Sequence, residues 1–249
     1  MKVLNTLVLL LLPFFTMAQP SDSAVFKTGA YSSVTISGAR QLASLNQQLR
    51  AAGHAPLTEA LVGFSLGVTN RFADQNSYTT SRLSWLATAD DNANDSRQTT
   101  LSVWELASFA HYDVVANPKW LAYPYLGFGT NYARLVVSNA ELGGSFQNSL
   151  NNLGTPEVVQ KKYGSEALML FGELGGGVER VLKLQGTDLY IGLSGGYRLS
   201  TERAWVLQGV KSFASSFGTQ GWMAELKFRF ETNPERNPEV RRGIFRFFE

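Results

Sequence analysis

The chain has 249 residues, of which 44% are hydrophobic and 17% charged, with a formal net charge of +2. It contains no cysteine, which excludes a disulfide-stapled domain and any thiolate metal site, and so even a charge balance offers no basic stripe for nucleic acid. A mean hydropathy of −0.09 fits a soluble β protein or a membrane barrel, whose strands are only half apolar.

The first residues follow the pattern of a secretory signal peptide: Lys2, an apolar run from Leu7 to Phe15 interrupted by Pro13, then small residues at Thr16 and Ala18. Residues 1–18 are expected to be that peptide. The apolar run is short of the roughly 20 residues a spanning helix needs. No cysteine flanks the cleavage point, which argues against a lipid anchor. No comparable apolar run follows, so strands rather than helices carry the rest of the reading.

The first strand is expected over Ala24–Ser37, with a ragged pattern. A long connection, 38–56, follows. Within it Leu42, Leu45 and Leu49 repeat at helical spacing, predicting a short amphipathic helix over Gln41–Ala52, with Gly53 as its stop. This helix is expected to pack on the rim or cap the mouth of whatever the strands enclose. In the second strand Val62, Phe64, Leu66 and Val68 alternate with Gly63, Ser65, Gly67 and Thr69, a period of two that separates an apolar face from a small or polar one. Strands three, Tyr78–Leu86, and four, Thr99–Tyr112, both change phase. In strand four Leu101 and Val103 oppose Leu106, Ala110 and Tyr112, and a β-bulge would account for the slip. Strand five spans Trp120–Val137. Strand six starts near Ala167 and sets Leu168, Leu170 and Leu174 against Met169, Phe171, Glu173 and Glu179. Strands seven, Leu189–Leu199, and eight, Trp222–Glu231, alternate most clearly.

The connections alternate in length. Ala73–Asn76, Asp113–Lys119 and Gln185–Asp188 are short; 38–56, 87–96, 138–165 and 200–219 are long. Membrane barrels show this asymmetry, with short periplasmic turns and long external loops. Eight strands of about 10 residues span a tilted wall, and closure leaves no unpaired edge. Aromatics at Trp85, Trp104, Trp120, Tyr123, Tyr125, Tyr190, Tyr197, Trp222, Phe228 and Phe230 are expected to form interfacial girdles.

These features resemble the small eight-stranded outer-membrane β-barrel proteins of Gram-negative bacteria. The resemblance rests on the run Tyr123 to Gly129, on Leu189–Leu199, and on Trp222–Phe230 as a closing strand. It covers most of residues 24–231. It implies an all-β, antiparallel up-and-down transmembrane barrel in the outer membrane, with a barrel domain over 19–231. One departure is the segment 232–249 after the terminal aromatic, expected to be a periplasmic tail.

Several groups along the strand faces are candidate sites. Glu173, Glu179, Arg198, Glu225, Lys227, Arg229 and Glu231 share the face opposite the apolar one. A barrel of eight strands is wide enough only to be filled by side chains, and buried charges must pair. These residues are therefore expected to form a lumen charge network rather than an ion path. His54 and His111 are the two histidines. His111 with Asp113 has the spacing to share a face, but no neighbouring nucleophile completes an acyl-transfer set. The oxygen-rich cluster Asp90, Asp91, Asn92, Asn94 and Asp95 lacks calcium-loop spacing. Gly172–Gly177 does not match a dinucleotide fingerprint. No catalytic, cofactor or metal residue is assigned. The expected function is a non-enzymatic outer-membrane barrel, in contact with membrane lipid, that meets an extracellular or protein partner through loops 38–56 and 138–165 and does not bind nucleic acid. The alternatives are an outer-membrane lipid hydrolase or acyltransferase, and a soluble periplasmic barrel with an apolar ligand.

Overall fold

The structure, a computed structural model, describes residues 26–40, 42–51, 56–72, 76–89, 97–115, 117–139, 161–184, 187–204 and 216–232. The expected signal peptide, His54, the 90–95 cluster, most of the 138–165 loop and nearly all of the expected tail lie outside these residues. The strands are β1 (Phe26–Gly38), β2 (Ala60–Phe72), β3 (Ser77–Ala89), β4 (Arg97–Tyr112), β5 (Trp120–Asn139), β6 (Lys161–Lys183), β7 (Thr187–Ser200) and β10 (Gly221–Thr232). They form one closed barrel in the order β1-β10-β7-β6-β5-β4-β3-β2. Every neighbouring pair is antiparallel. Two two-residue strands, β8 (Arg203–Ala204) and β9 (Ser216–Phe217), pair with each other in the fourth long connection. Among the described residues no helix is long and apolar enough to cross a membrane.

Closure satisfies the backbone all round the wall, which lets the outer face be apolar. Leu66, Leu83, Leu126, Phe128, Leu170, Leu174, Leu193 and Leu199 all point outward and are exposed, Leu174 to 64%. A lateral row of aromatics bounds this belt toward the long connections: Phe64 pairs with Trp85, Trp85 with Trp104, and Trp104 with Tyr132. Tyr112, Trp120 and Phe230 are exposed toward the short turns. Tyr123, Tyr125 and Tyr190, expected in these girdles, are not part of them. They point inward and are buried.

Strand four holds no bulge. β4 pairs residue for residue with β3 from Thr100 to Tyr112 and with β5 from Arg97 to His111. Leu101, Val103, Glu105, Ala107, Phe109 and His111 all face the interior and are buried. The apparent phase change came from the interior, which is apolar at one end and polar at the other. The strands are also longer than expected at that apolar end. β6 begins at Lys161 rather than near Ala167, and residues 161–170 lie beyond its last ladder pair with β7, Phe171 with Ser200.

The helix α1 (Leu42–Ala51) sits in the mouth formed by these longer strands. Its sequence carries no β-branched residue, and Arg50 lies in its last turn, where a cation complements the helix dipole. Leu42, Leu45 and Leu49 are buried together with Leu57, Leu61, Leu86, Leu101, Val103, Ala133, Leu135, Ala167 and Met169. The Asn46 amide donates to the Leu57 carbonyl at 2.8 Å and accepts from the Leu57 N–H at 2.8 Å, tying the returning chain to the helix. The helix is thus a plug filling the mouth.

Candidate functional site

Below the plug the interior is charged. Period-two alternation aims one residue in two at the lumen, and β2, β3, β4, β6, β7 and β10 each contribute acids or bases. The carboxylates of Glu105, Glu173, Glu179, Glu225 and Glu231 pair with Arg71, Arg82, Arg198, Lys227 and Arg229. Arg198, 1% exposed, bridges two of these acids. It donates to Glu105 Oε2 at 3.1 Å and, from Nη2 and Nε, to Glu173 Oε2 at 2.9 and 3.2 Å. Arg82 reaches Glu225, and its Nη2 lies 3.6 Å from Glu173 and 3.8 Å from Glu105. Lys227 lies 3.4 Å from Glu225. Nearer the short turns Arg229 binds Glu179 at 2.5 Å and also pairs with Glu231.

Hydroxyl groups and rings complete the network. The phenols of Tyr123 and Tyr125 donate to Glu179 at 2.6 Å and Glu173 at 3.0 Å. Glu225 accepts from Tyr31, Thr35 and Ser194, each at 3.3 Å. Arg198 lies over Phe171 at 4.0 Å and Arg229 over Tyr190 at 3.9 Å, contacts that hold a guanidinium by the ring quadrupole. The glycine run is explained here. A methyl group at Gly175 would strike the Tyr125 phenol, and one at Gly177 the Tyr123 phenol. These glycines, within β6, make room for the two tyrosines.

All seven charged residues singled out from the sequence, Glu231 included, are buried in this interior, and each has an ionic partner. Glu173 meets Arg198, Glu225 meets Lys227, and Glu179 meets Arg229. Arg71, Arg82 and Glu105 were missed. Period-two counting reaches Arg82 through Tyr78, Thr80 and Ser84, and Glu105 through Leu101 and Val103, once inward apolar residues are allowed. His111 is stacked on Tyr78 with ring centroids 4.3 Å apart and lies edge-on to Tyr123. Neither of its ring nitrogens has a hydrogen-bond partner among the described residues. Asp113 does not serve it: the carboxylate accepts the N–H groups of Val115 at 3.1 Å and Ala122 at 3.4 Å, shaping the turn. The cavity beside His111, lined also by Arg82, Glu173, Glu225 and Lys227, measures about 10 Å³. That is the scale of one water molecule and far below a substrate. Among the described residues no group of three or more acids or histidines is arranged to hold a metal ion.

A closed wall that is apolar outside and charged inside inverts a soluble barrel and suits lipid as the surrounding solvent. Sequence comparison finds no matching family model and no matching curated protein. Among solved structures, a major outer membrane protein from Thermus thermophilus superimposes with a TM-score of 0.52 at 11% identity, covering 84% of this chain and 99% of that one. The fold is that of the small outer-membrane β-barrels. Two others align over similar lengths with lower scores. Neisserial surface protein A has a TM-score of 0.36 at 16% identity, covering 85% of this chain and 99% of that one. Ail of Yersinia pestis has 0.39 at 9%, covering 83% and 96%. At 11% identity the barrel fold is what is shared with the Thermus protein, and side-chain roles are read from this chain alone.

Proposed function

We propose that the protein is a non-enzymatic outer-membrane barrel that anchors long external connections, chiefly 38–56 and 138–165, for contact with an extracellular or protein partner. The observation that carries this reading is the filled interior. Among the described residues apolar side chains around α1 occupy one half and paired charges the other, and the cavity beside His111 has the size of one water molecule rather than of a substrate. What remains for function is the surface beyond the wall. The fold likeness to a major outer membrane protein supports the location. The inward Glu, Arg and Lys side chains oppose a soluble barrel with an apolar ligand, and among the described residues neither ring nitrogen of His111 meets the acid or the nucleophile that an acyl hydrolase needs.

Single-cysteine labelling tests the reading in a chain that has no native cysteine. Asn148→Cys is expected to react on intact cells with a membrane-impermeant maleimide, and Asp74→Cys only after lysis. The folded protein is expected to migrate differently before and after boiling. Recovery in the soluble fraction with no heat shift would remove the membrane assignment. Release of fatty acid from lipid by the purified barrel, lost in His111→Ala, would replace the non-enzymatic reading with the hydrolase.

A further inference from the structure

Arg180 stands apart from the other cations of the barrel wall. It lies on the outer face of β6, exposed, between Val178 and Leu182 on the same face. Across the ladders its partners are Trp120 on β5 and Ile191 on β7. All four neighbours on that face are apolar. Its guanidinium carbon sits 5.8 Å from the centre of the Trp120 ring. Among the described residues no carboxylate pairs with it. The outward cation toward the other end, Arg134, lies 3.9 Å from Glu166.

A charge on the lipid face is costly at mid-depth and tolerated near the interface. Trp120, half exposed, marks the interface on the short-turn side. The apolar face continues past Arg180 to Leu182 and Leu184, both exposed, so Arg180 is inside the band rather than beyond it. Lys119 is brought alongside by the bond from the Val181 N–H to its carbonyl, 2.9 Å. A planar guanidinium matches a phosphate with two parallel hydrogen bonds, and a lysine nearby favours a net negative headgroup.

We propose that Arg180, Trp120 and Lys119 form a binding site for the phosphate of an anionic phospholipid headgroup in the leaflet on the short-turn side. The inference rests on the membrane reading above. The lipid supplies the counter-charge that the chain does not, and Trp120 holds the guanidinium flat against the wall while the headgroup docks. The site fixes one lipid at the β5–β6 sector.

Native mass spectrometry of the purified full chain, equilibrated with equal phosphatidylglycerol and phosphatidylcholine, tests it. The protein is expected to retain phosphatidylglycerol in preference. Arg180→Gln should lower that retention about fivefold, the scale of one basic group at an anionic surface. Arg180→Lys should retain an intermediate amount, and Arg134→Gln should match the parent. Equal retention of the two lipids by the parent protein, or unchanged retention in Arg180→Gln, overturns the site. Heat-shifted mobility of the same samples is read in parallel. Its loss in the parent protein counts against the membrane barrel itself, whereas a normal shift without lipid preference counts against this site alone.

Discussion

Toward the long connections the interior is closed by Leu42, Leu45 and Leu49 against Leu86, Leu101, Val103 and Leu135; toward the short turns it is closed by Arg82, Arg198 and Arg229 among Glu105, Glu173, Glu179 and Glu225. Both halves are filled by side chains, held together by different physics. The apolar half is non-directional and tolerates changes of shape within its volume. The charged half is directional, and each member depends on its partners remaining in place. The plug half behaves like a small soluble core built on the ends of β4–β6. The charged half lies within the apolar belt, where lipid surrounds the wall and the polar residues have only each other.

The charged half is the more easily damaged of the two. Arg198→Met is expected to destabilise the barrel by about 3–5 kcal/mol, because Glu105 and Glu173 lose their bridging cation while buried. Urea unfolding in lipid or detergent, followed by loss of the heat shift, measures this. The triple change Arg198→Met, Glu105→Gln, Glu173→Gln should recover much of the loss. Failure to recover would show that packing of the arginine over Phe171, rather than charge, is what the position supplies.

In the apolar half Leu45→Ala is expected to cost about 2–5 kcal/mol locally, the range for deleting a buried leucine. Hydrogen exchange should speed up in α1 and at the Leu101–Val103 and Ala133–Leu135 ends of β4 and β5. Protection around Glu225 and Arg229 should stay as it was. Equal loss of protection in both halves would show that the plug and the network unfold as one unit.

The smallest effect concerns the boundary between inside and outside. Gly172→Ala places its methyl outward with no atom nearer than 3.9 Å and is expected to fall within about 0.5 kcal/mol of the parent. Gly175→Ala should be clearly destabilising, since the methyl meets the Tyr125 phenol and the Gly195 carbonyl. Thermal loss of the heat-shifted band ranks the two, and the reverse order would contradict the inward placement of Tyr125.

The barrel itself was legible in one dimension. Alternation in Leu189–Leu199 and Trp222–Glu231 and the long–short order of the connections depend on local spacing, and local spacing needs no fold to be read. The same parity placed Glu173, Glu179, Arg198, Glu225, Lys227 and Arg229 on one kind of face, because counting by twos along a strand needs no partner. Which acid meets which base was not legible, since Glu105 and Arg198, or Arg82 and Glu225, come together through closure of strands far apart in the chain. Nor was the change from a charged to an apolar interior along β4. A lone strand cannot show that Leu101 and Val103 face a helix from the β1–β2 connection, and without that helix their inward apolar side chains read as a slip in phase.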